Sequence, residues 1–281
     1  MCPKSIDATE DESTEIFRKS WQTYQHIIEH NHLKHRDVVD ALAKELTLWN
    51  GPSGRGASEG CRVMDLGCGD AWLPIRLLSG SQTTTATAAA SAAASASASA
   101  SALATPPVSV SRFVGVDLSA PALEFAKRNA QAAGWTDCCD WVLGDISEIS
   151  VAPVHDSEKF DIIMSSFAIH HLKTKESKAK LLSGIYDRLA PGGLFLWADV
   201  YDYIGNGDRS RLMARWKEKI VEGYHGIPQE ERDRIWDHAS NHDWPESKPT
   251  MQSLLEGAGF RAKCIYHDDF YVAVWSGIKD Y

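Results

Sequence analysis

The chain has 281 residues, 43% of them hydrophobic and 24% charged, and a formal net charge of -9 at pH 7. This composition is that of an ordinary globular protein with a sizeable core. Its acidic balance works against broad phosphate-backbone contact, which needs clustered Lys and Arg. No run approaches the roughly 18 apolar residues of a membrane-spanning helix, so neither nucleic acid nor membrane is an expected partner.

The N-terminal stretch carries Asp7, Glu10, Asp11, Glu12 and Glu15. A signal peptide wants a basic start and an apolar run, and transit peptides are poor in acids. Cytoplasmic residence is therefore the expectation. The cysteines are Cys2, Cys61, Cys68, Cys138, Cys139 and Cys264, with no CxxC spacing. They read as reduced thiols rather than as a zinc site. A helical segment is expected from Ile16 to Trp49, holding Trp21, Tyr24, His26, His30, His32 and His35. His26 and His30 share a helix face as metal ligands do, but no third ligand accompanies them, so no metal is expected. Trp21 and Tyr24 are placed to pack over a bound cation or to form plain helix core.

Cys61 to Leu66 is a short apolar run that ends in a glycine turn. From Thr83 to Thr105 every residue except Leu103 is Ala, Ser or Thr, closed by Pro106-Pro107. With almost nothing large to bury, this tract reads as a surface-loop insertion (80–110), which loop-closure entropy tolerates. Further apolar runs follow at Arg112–Asp117, Asp140–Leu143, Phe160–Ser165 and, after Pro191-Gly192-Gly193, at Leu194–Ala198. Near-continuous rather than alternating apolar character marks strands buried on both faces of a parallel sheet.

Helical patterns lie between these strands. Ser119 caps one with Pro121 in its first turn, and Lys175–Leu189 carries Ala179, Leu182, Ile185 and Leu189 at helical spacing. Such alternation predicts a doubly wound α/β fold. A last helix over Thr250–Ala258 stops at Gly259. Strands Phe260–Tyr266 and Phe270–Trp275 then follow, joined by only His267-Asp268-Asp269. A link that short joins antiparallel strands. Residues 201–249 form a helical excursion with Leu212, Trp216, Ile220, Ile235, Trp236 and Trp244, placed as a lid.

Ligands of open α/β sheets bind at the carboxyl ends of the strands. The turn Asp65-Leu66-Gly67-Cys68-Gly69-Asp70 is the candidate cradle, because glycines let ligand and backbone approach closely. Trp72 stands where a dinucleotide fingerprint needs glycine, which speaks against a nicotinamide enzyme. Asp117 ends the second strand, where it can accept both ribose hydroxyls. Asp145 follows the third, where it can accept from an adenine amino group, and Asp65 can face an ammonium or order the turn. Acids at three successive strand ends describe a positively charged nucleoside.

Val63-Met64-Asp65-Leu66-Gly67-Cys68-Gly69-Asp70-Ala71, Gly115-Val116-Asp117-Leu118-Ser119, Gly144-Asp145-Ile146, Phe160-Asp161-Ile162-Ile163, Ile169-His170-His171-Leu172 and Leu189-Ala190-Pro191-Gly192-Gly193 together resemble the ordered motifs of class I S-adenosylmethionine-dependent methyltransferases. The resemblance covers about Cys61 to Trp275. It implies a Rossmann-like, seven-stranded, mainly parallel sheet with an antiparallel last strand, in a domain over 61–281 behind a helical cap (1–60). It also implies that Gly67, Cys68 and Gly69 approach the amino-acid part of S-adenosylmethionine. Asp117 and Leu118 would meet the ribose and Asp145 and Ile146 the adenine, while Ser166 and Phe167 lie by the methionyl part. Ala71 replaces the first motif's third glycine.

Methyl transfer from a sulfonium depends mainly on alignment, so the sequence need not advertise a base. His170 and His171 are the candidates, against a structural role at the helix entry; Asp199 and Tyr201 are alternatives. Ser165-Ser166-Phe167-Ala168 stands where DNA-base and glutamine methyltransferases carry Asn/Asp-Pro-Pro-Tyr/Phe. This and the acidic charge favour a small-molecule acceptor. The rivals are a non-catalytic S-adenosylmethionine-binding protein and a protein or RNA methyltransferase.

Overall fold

The structure is a computed structural model that describes residues 23–51, 60–79, 108–148, 158–205 and 208–281. The Ala/Ser tract, Trp21 and the acidic N-terminal stretch lie outside the described residues.

Strands β1 (Cys61–Leu66), β2 (Val110–Asp117), β3 (Cys139–Leu143), β4 (Phe160–Ser166), β5 (Leu189–Asp202), β7 (Arg261–His267) and β8 (Val272–Ile278) form one sheet. Its order is β3-β2-β1-β4-β5-β8-β7, and β6 (Glu246–Ser247) pairs with the end of β5. The first five strands are parallel, and β8 runs antiparallel to both β5 and β7. The expected terminal hairpin is thus in place. Its turn is drawn together by Asp268, whose Oδ1 accepts from the backbone N–H of Phe270, Tyr271 and Val272 at 3.2, 2.7 and 2.7 Å.

Successive strand side chains point to opposite faces, and here both faces are buried. Val63, Phe113, Ile162, Met164, Leu196 and Val274 enter one core, while Met64, Val114, Ile163, Phe195, Trp197 and Trp275 enter the other. On the first face lie α1 (His35–Leu48), α2 (Trp72–Leu78) and the excursion; on the second lie α4 (Lys175–Arg188) and α7 (Lys248–Gly257). Helix α3 (Ala120–Ala132) packs Ala126 and Ala130 against Ala71 and Ile75. Val38, Leu42 and Leu46 of α1 share a core cluster with Val63, Leu73 and Val272, so this part of the N-terminal cap is built into the sheet's own core.

Helix starts follow the capping chemistry of their sequences. Ser119 Oγ accepts from Ala122 N at 3.3 Å, Thr174 Oγ1 from Ser177 N at 3.1 Å, and Ser247 Oγ from Thr250 N at 3.4 Å. The last cap starts α7 at Lys248, two residues before the expected Thr250. Pro191-Gly192-Gly193 is no separate turn. It is a bulge inside β5, where the register with β4 jumps from Phe160↔Leu189 to Ile162↔Leu194. Gly192 takes φ +74° there and donates to Lys279 O.

The excursion after β5 contains α5 (Arg209–Lys217), one turn of π-helix over Glu218–Glu222 and α6 (Gln229–His242). Leu212, Trp216 and Ile220, expected on one helix face, are all buried. Helical residues 23–29 precede α1, and the break between them passes through Asn31 and Lys34 at φ 55° and 56°. Among the described residues no helix is long and apolar enough to cross a membrane.

Candidate cofactor and acceptor site

The glycine turn leaves the carboxyl end of β1 beside β2. Gly67 N and Cys68 N both donate to Val116 O, at 2.8 and 3.0 Å, so the turn is tied to the neighbouring strand. Gly67 has φ +73°, and a Cβ there would run into the Cβ of Ala168. This is a position for glycine alone. Ala71 takes φ 59°, which an alanine reaches at some cost, and begins α2. The methyl group replacing the motif's third glycine is fully buried.

Asp117 holds the turn from β2. Its Oδ2 accepts from Gly69 N and its Oδ1 from Ser119 N, both at 2.8 Å. Each oxygen keeps a further lone pair, the arrangement needed to receive two neighbouring hydroxyls. Burial raises its pKa, and the two backbone N–H donors oppose that rise. Asp65 lies beneath with 0% exposure, and neither of its carboxylate oxygens has a hydrogen-bond partner. Burial, and then the Asp117 charge, push it up to about 8. A buried carboxylate without a donor is costly, so the group holds its proton to higher pH.

Asp70, the second acid of the turn, is pushed up to about 6 by burial, against hydrogen bonds from Trp72 N, Asn129 and Gln25. Tyr24 lies close enough to feel the charges of these groups. Burial, and then the charges of Asp70, Asp65 and Asp117, raise its phenol well above its ordinary value, so it remains a neutral hydroxyl. Cys68 is a buried thiol pushed up by burial and by the same acids.

Around the rim, Leu118 is 54% exposed. Asp145 is exposed and its Oδ1 accepts from Ser147 N at 2.7 Å, while Ile146 is buried next to it. Phe167, following Ser166 at the end of β4, takes φ 52° and donates its N–H to Ala198 O. Its ring lies 5.1 Å from that of His35, which also meets Trp72 and Tyr24 edge-on, each at 5.9 Å. His35 is 1% exposed, and neither ring nitrogen has a hydrogen-bond partner. Burial lowers its pKa to about 3, which keeps it neutral. Sequence reasoning named His35 only as one of several N-terminal histidines; no local pattern marks it.

The two post-β4 histidines differ. His170 is buried, with Nδ1 on Asp199 Oδ1 and Nε2 3.3 Å from Asp243 Oδ1. Burial pulls its pKa down, but the two carboxylates outweigh that and raise it to about 10. His171 is half-exposed, with Nδ1 3.3 Å from the same Asp243 oxygen and 3.3 Å from His242 O. The Asp199 carboxylate is held by His170 N, Trp197 Nε1 and Val200 N at 3.0, 2.9 and 2.9 Å. Tyr201 turns away, donating to Asp268 O at 2.7 Å. Asp243, which no motif announced, arrives from the end of α6. Arg209 fixes it there by donating to the carbonyls of Asp243 and Ser240 at 2.7 and 2.9 Å. His26 pairs instead with Glu231 of α6, and His30 bonds back to its own helix.

A methyltransferase-domain family pattern matches residues 91–197, which span β2 to β5 of the sheet just described. Over this part the chain is similar to methyltransferase domains. It is 30% identical over 115 residues to the mitochondrial 2-methoxy-6-polyprenyl-1,4-benzoquinol methylase of Gallus gallus, covering 41% of this chain and 34% of that one. The Homo sapiens enzyme of the same name is 30% identical over 111 residues, 40% of this chain and 32% of that one. The matched part therefore spans about a third of these relatives. Among solved structures, magnesium protoporphyrin IX methyltransferase from Synechocystis PCC 6803 with bound SAM aligns over 99% of this chain and 100% of its own, with TM-score 0.53 and 13% identity. The YcgJ protein from Bacillus subtilis aligns over 86% and 99%, with TM-score 0.53 and 14% identity. At these identities both likenesses concern the fold alone. Its seven-stranded order with an antiparallel β8 agrees with the expectation from sequence.

Proposed function

We propose that the protein transfers the methyl group of S-adenosylmethionine to a small-molecule acceptor by in-line displacement. The observation that carries this reading is the donor-less, fully buried Asp65 carboxyl beneath a glycine turn whose neighbouring acid, Asp117, holds the turn with one lone pair per oxygen to spare. An ammonium would supply the cation Asp65 lacks, and ribose hydroxyls would complete Asp117. Gly67, Cys68 and Gly69 would hold the amino-acid part, Leu118 the ribose edge, and Asp145 and Ile146 the adenine. Tyr24, Ser166 and Phe167 would close over the methionyl part. When bound, the cofactor supplies an electrophilic methyl on a sulfonium.

Alignment is then the protein's main contribution, worth roughly 7–11 kcal/mol when the reacting atoms are well placed. The strand-end residues named above would hold the cofactor and so align its methyl group with the acceptor. His35, a neutral imidazole without a polar partner in a nest of Tyr24, Trp72 and Phe167, is the group we assign to meet the acceptor's polar atom. His170 has both ring nitrogens on carboxylates and His171 turns Nδ1 to Asp243, so we assign the pair to positioning the excursion. The benzoquinol and porphyrin acceptors named for the similar proteins support a small-molecule acceptor.

Calorimetric titration with S-adenosylmethionine, with NAD as control, tests the cofactor assignment. Micromolar binding to the first alone is expected; no binding would overturn it. Transfer of labelled methyl to phenolic, quinol and carboxylic acceptors then separates an enzyme from a binding protein.

A further inference from the structure

We infer that His170, His171 and Asp243, with His238 beside them, form a binding site for a zinc-class divalent cation, which fastens the helical excursion to the strand ends. This inference is independent of the methyl-transfer reading. Three imidazole nitrogens converge on one carboxylate oxygen: His170 Nε2 and His171 Nδ1 at 3.3 Å and His238 Nε2 at 3.7 Å from Asp243 Oδ1. That oxygen is buried and makes no aligned hydrogen bond. The ligand atoms of His170, His171 and Asp243 all lie within 4.8 Å of one another.

Those separations have a meaning in coordination geometry. Tetrahedral Zn²⁺ with bonds of about 2.0–2.1 Å to nitrogen and oxygen puts neighbouring ligand atoms about 3.3 Å apart. An octahedral ion with bonds of about 2.0–2.1 Å puts adjacent ligands about 2.9 Å apart. The two 3.3 Å edges from His170 and His171 to Asp243 Oδ1 match the tetrahedral value, and the 3.7 Å edge from His238 is longer. Imidazole with one carboxylate is also a donor set suited to zinc.

The surroundings are those of a supported site. Asp199 holds His170 by its other nitrogen, Nδ1, which leaves Nε2 directed at the cluster. A carboxylate behind a ligating histidine fixes its tautomer and orientation. Arg209 clamps the carbonyls on either side of the α6 end that delivers Asp243, and His238 and His242 lie one turn apart on that helix, with rings 5.2 Å apart. The side chains of His171 and His238 are each 43% exposed, which gives a cation a way in.

The test uses untagged full-length protein stripped with a chelator and titrated with ZnCl₂, with bound metal counted by mass spectrometry. One equivalent should bind and raise the melting temperature by several degrees, and Co²⁺ in its place should show the intense visible absorption of a tetrahedral site. Asp243→Ala should weaken zinc binding at least 100-fold. His238→Ala, at a half-exposed position that leaves the buried His170–Asp199 pair intact, should weaken it at least tenfold. No stoichiometric uptake by the folded wild type would overturn the inference, as would uptake equal in the wild type and both variants. S-Adenosylmethionine affinity measured on the same stripped samples keeps the two readings apart: cofactor binding without zinc uptake removes the metal site alone.

Discussion

Asp65→Asn is expected to stabilise the ligand-free protein while weakening its cofactor. Asp65 is fully buried, without a hydrogen-bond donor, and its carboxyl is pushed from an ordinary 3.8 to about 8. A group that binds its proton more tightly folded than unfolded makes stability fall as pH rises, here between 3.8 and about 8. At pH 7 the unfolded carboxyl is ionised and the folded one is not. The gap from 3.8 to 7, at about 1.4 kcal/mol per pH unit, costs the folded state about 4 kcal/mol. Asparagine does not titrate, so the variant should gain up to about 4 kcal/mol at pH 7 and close to nothing at pH 4. For a domain of this size that is on the order of 10 °C in melting temperature. Thermal unfolding of both proteins across this pH range measures it. Binding of an ammonium should ionise Asp65, so titration at pH 7 in buffers of different ionisation enthalpy should show about one proton released. Losing a charge-assisted hydrogen bond of about 1.5–3 kcal/mol should weaken S-adenosylmethionine roughly 10- to 100-fold in the variant. A melting-temperature difference independent of pH, with undiminished affinity, would refute the reasoning.

Asp117→Ala removes the acceptor of Gly69 N and Ser119 N as well as the proposed ribose contacts. Cofactor affinity should drop at least 100-fold at two charge-assisted hydrogen bonds of about 1.5–3 kcal/mol each, and near-wild-type affinity in the folded variant would remove the ribose assignment. Gly67→Ala forces a Cβ into Ala168 at φ +73°. Left-handed strain of about 1–2 kcal/mol and overpacking of about 1–3 kcal/mol should show as a lowered denaturation midpoint. His35→Phe keeps the ring but loses its nitrogens; S-adenosylmethionine affinity should stay within about threefold while turnover falls by at least the tenfold that about 1.4 kcal/mol represents. Equal turnover would separate His35 from the acceptor. Deleting residues 83–105 should leave cofactor affinity unchanged, because shortening a loop alters closure entropy by only about 0.6 kcal/mol per halving; a large loss would make the tract part of the fold.

Much of the architecture is local chemistry and could be read directly. The apolar runs of β1, β2 and β4 are continuous because both sheet faces are covered, and Ser119 and Gly259 mark helix ends through backbone groups only a few residues away. Where local signals compete, reading fails. Pro191-Gly192-Gly193 has the composition of a turn, yet pairing with the segment after β8 stretches it into β5. The two-residue β6 has no pattern of its own and exists because Tyr201 and Asp202 offer it an edge.

The site divides in the same way. The glycine turn, Asp65 and Asp117 lie at strand ends that the sequence itself marks, so their grouping follows from the alternation of strands and helices. His35 and Asp243 come from segments whose local sequence carries no such mark. One enters the site because α1 packs into the sheet's core, the other because Arg209 and Lys178 draw the end of the excursion down onto β5 and α4. The sequence by itself determined the fold and the grouping of the glycine turn with its acids, since hydrophobic period, capping residues and glycine are properties of neighbouring residues. Only the tertiary structure decided which histidine is buried without a partner, and that three others converge on one carboxylate oxygen, since those facts depend on helices far apart in the chain meeting at one place.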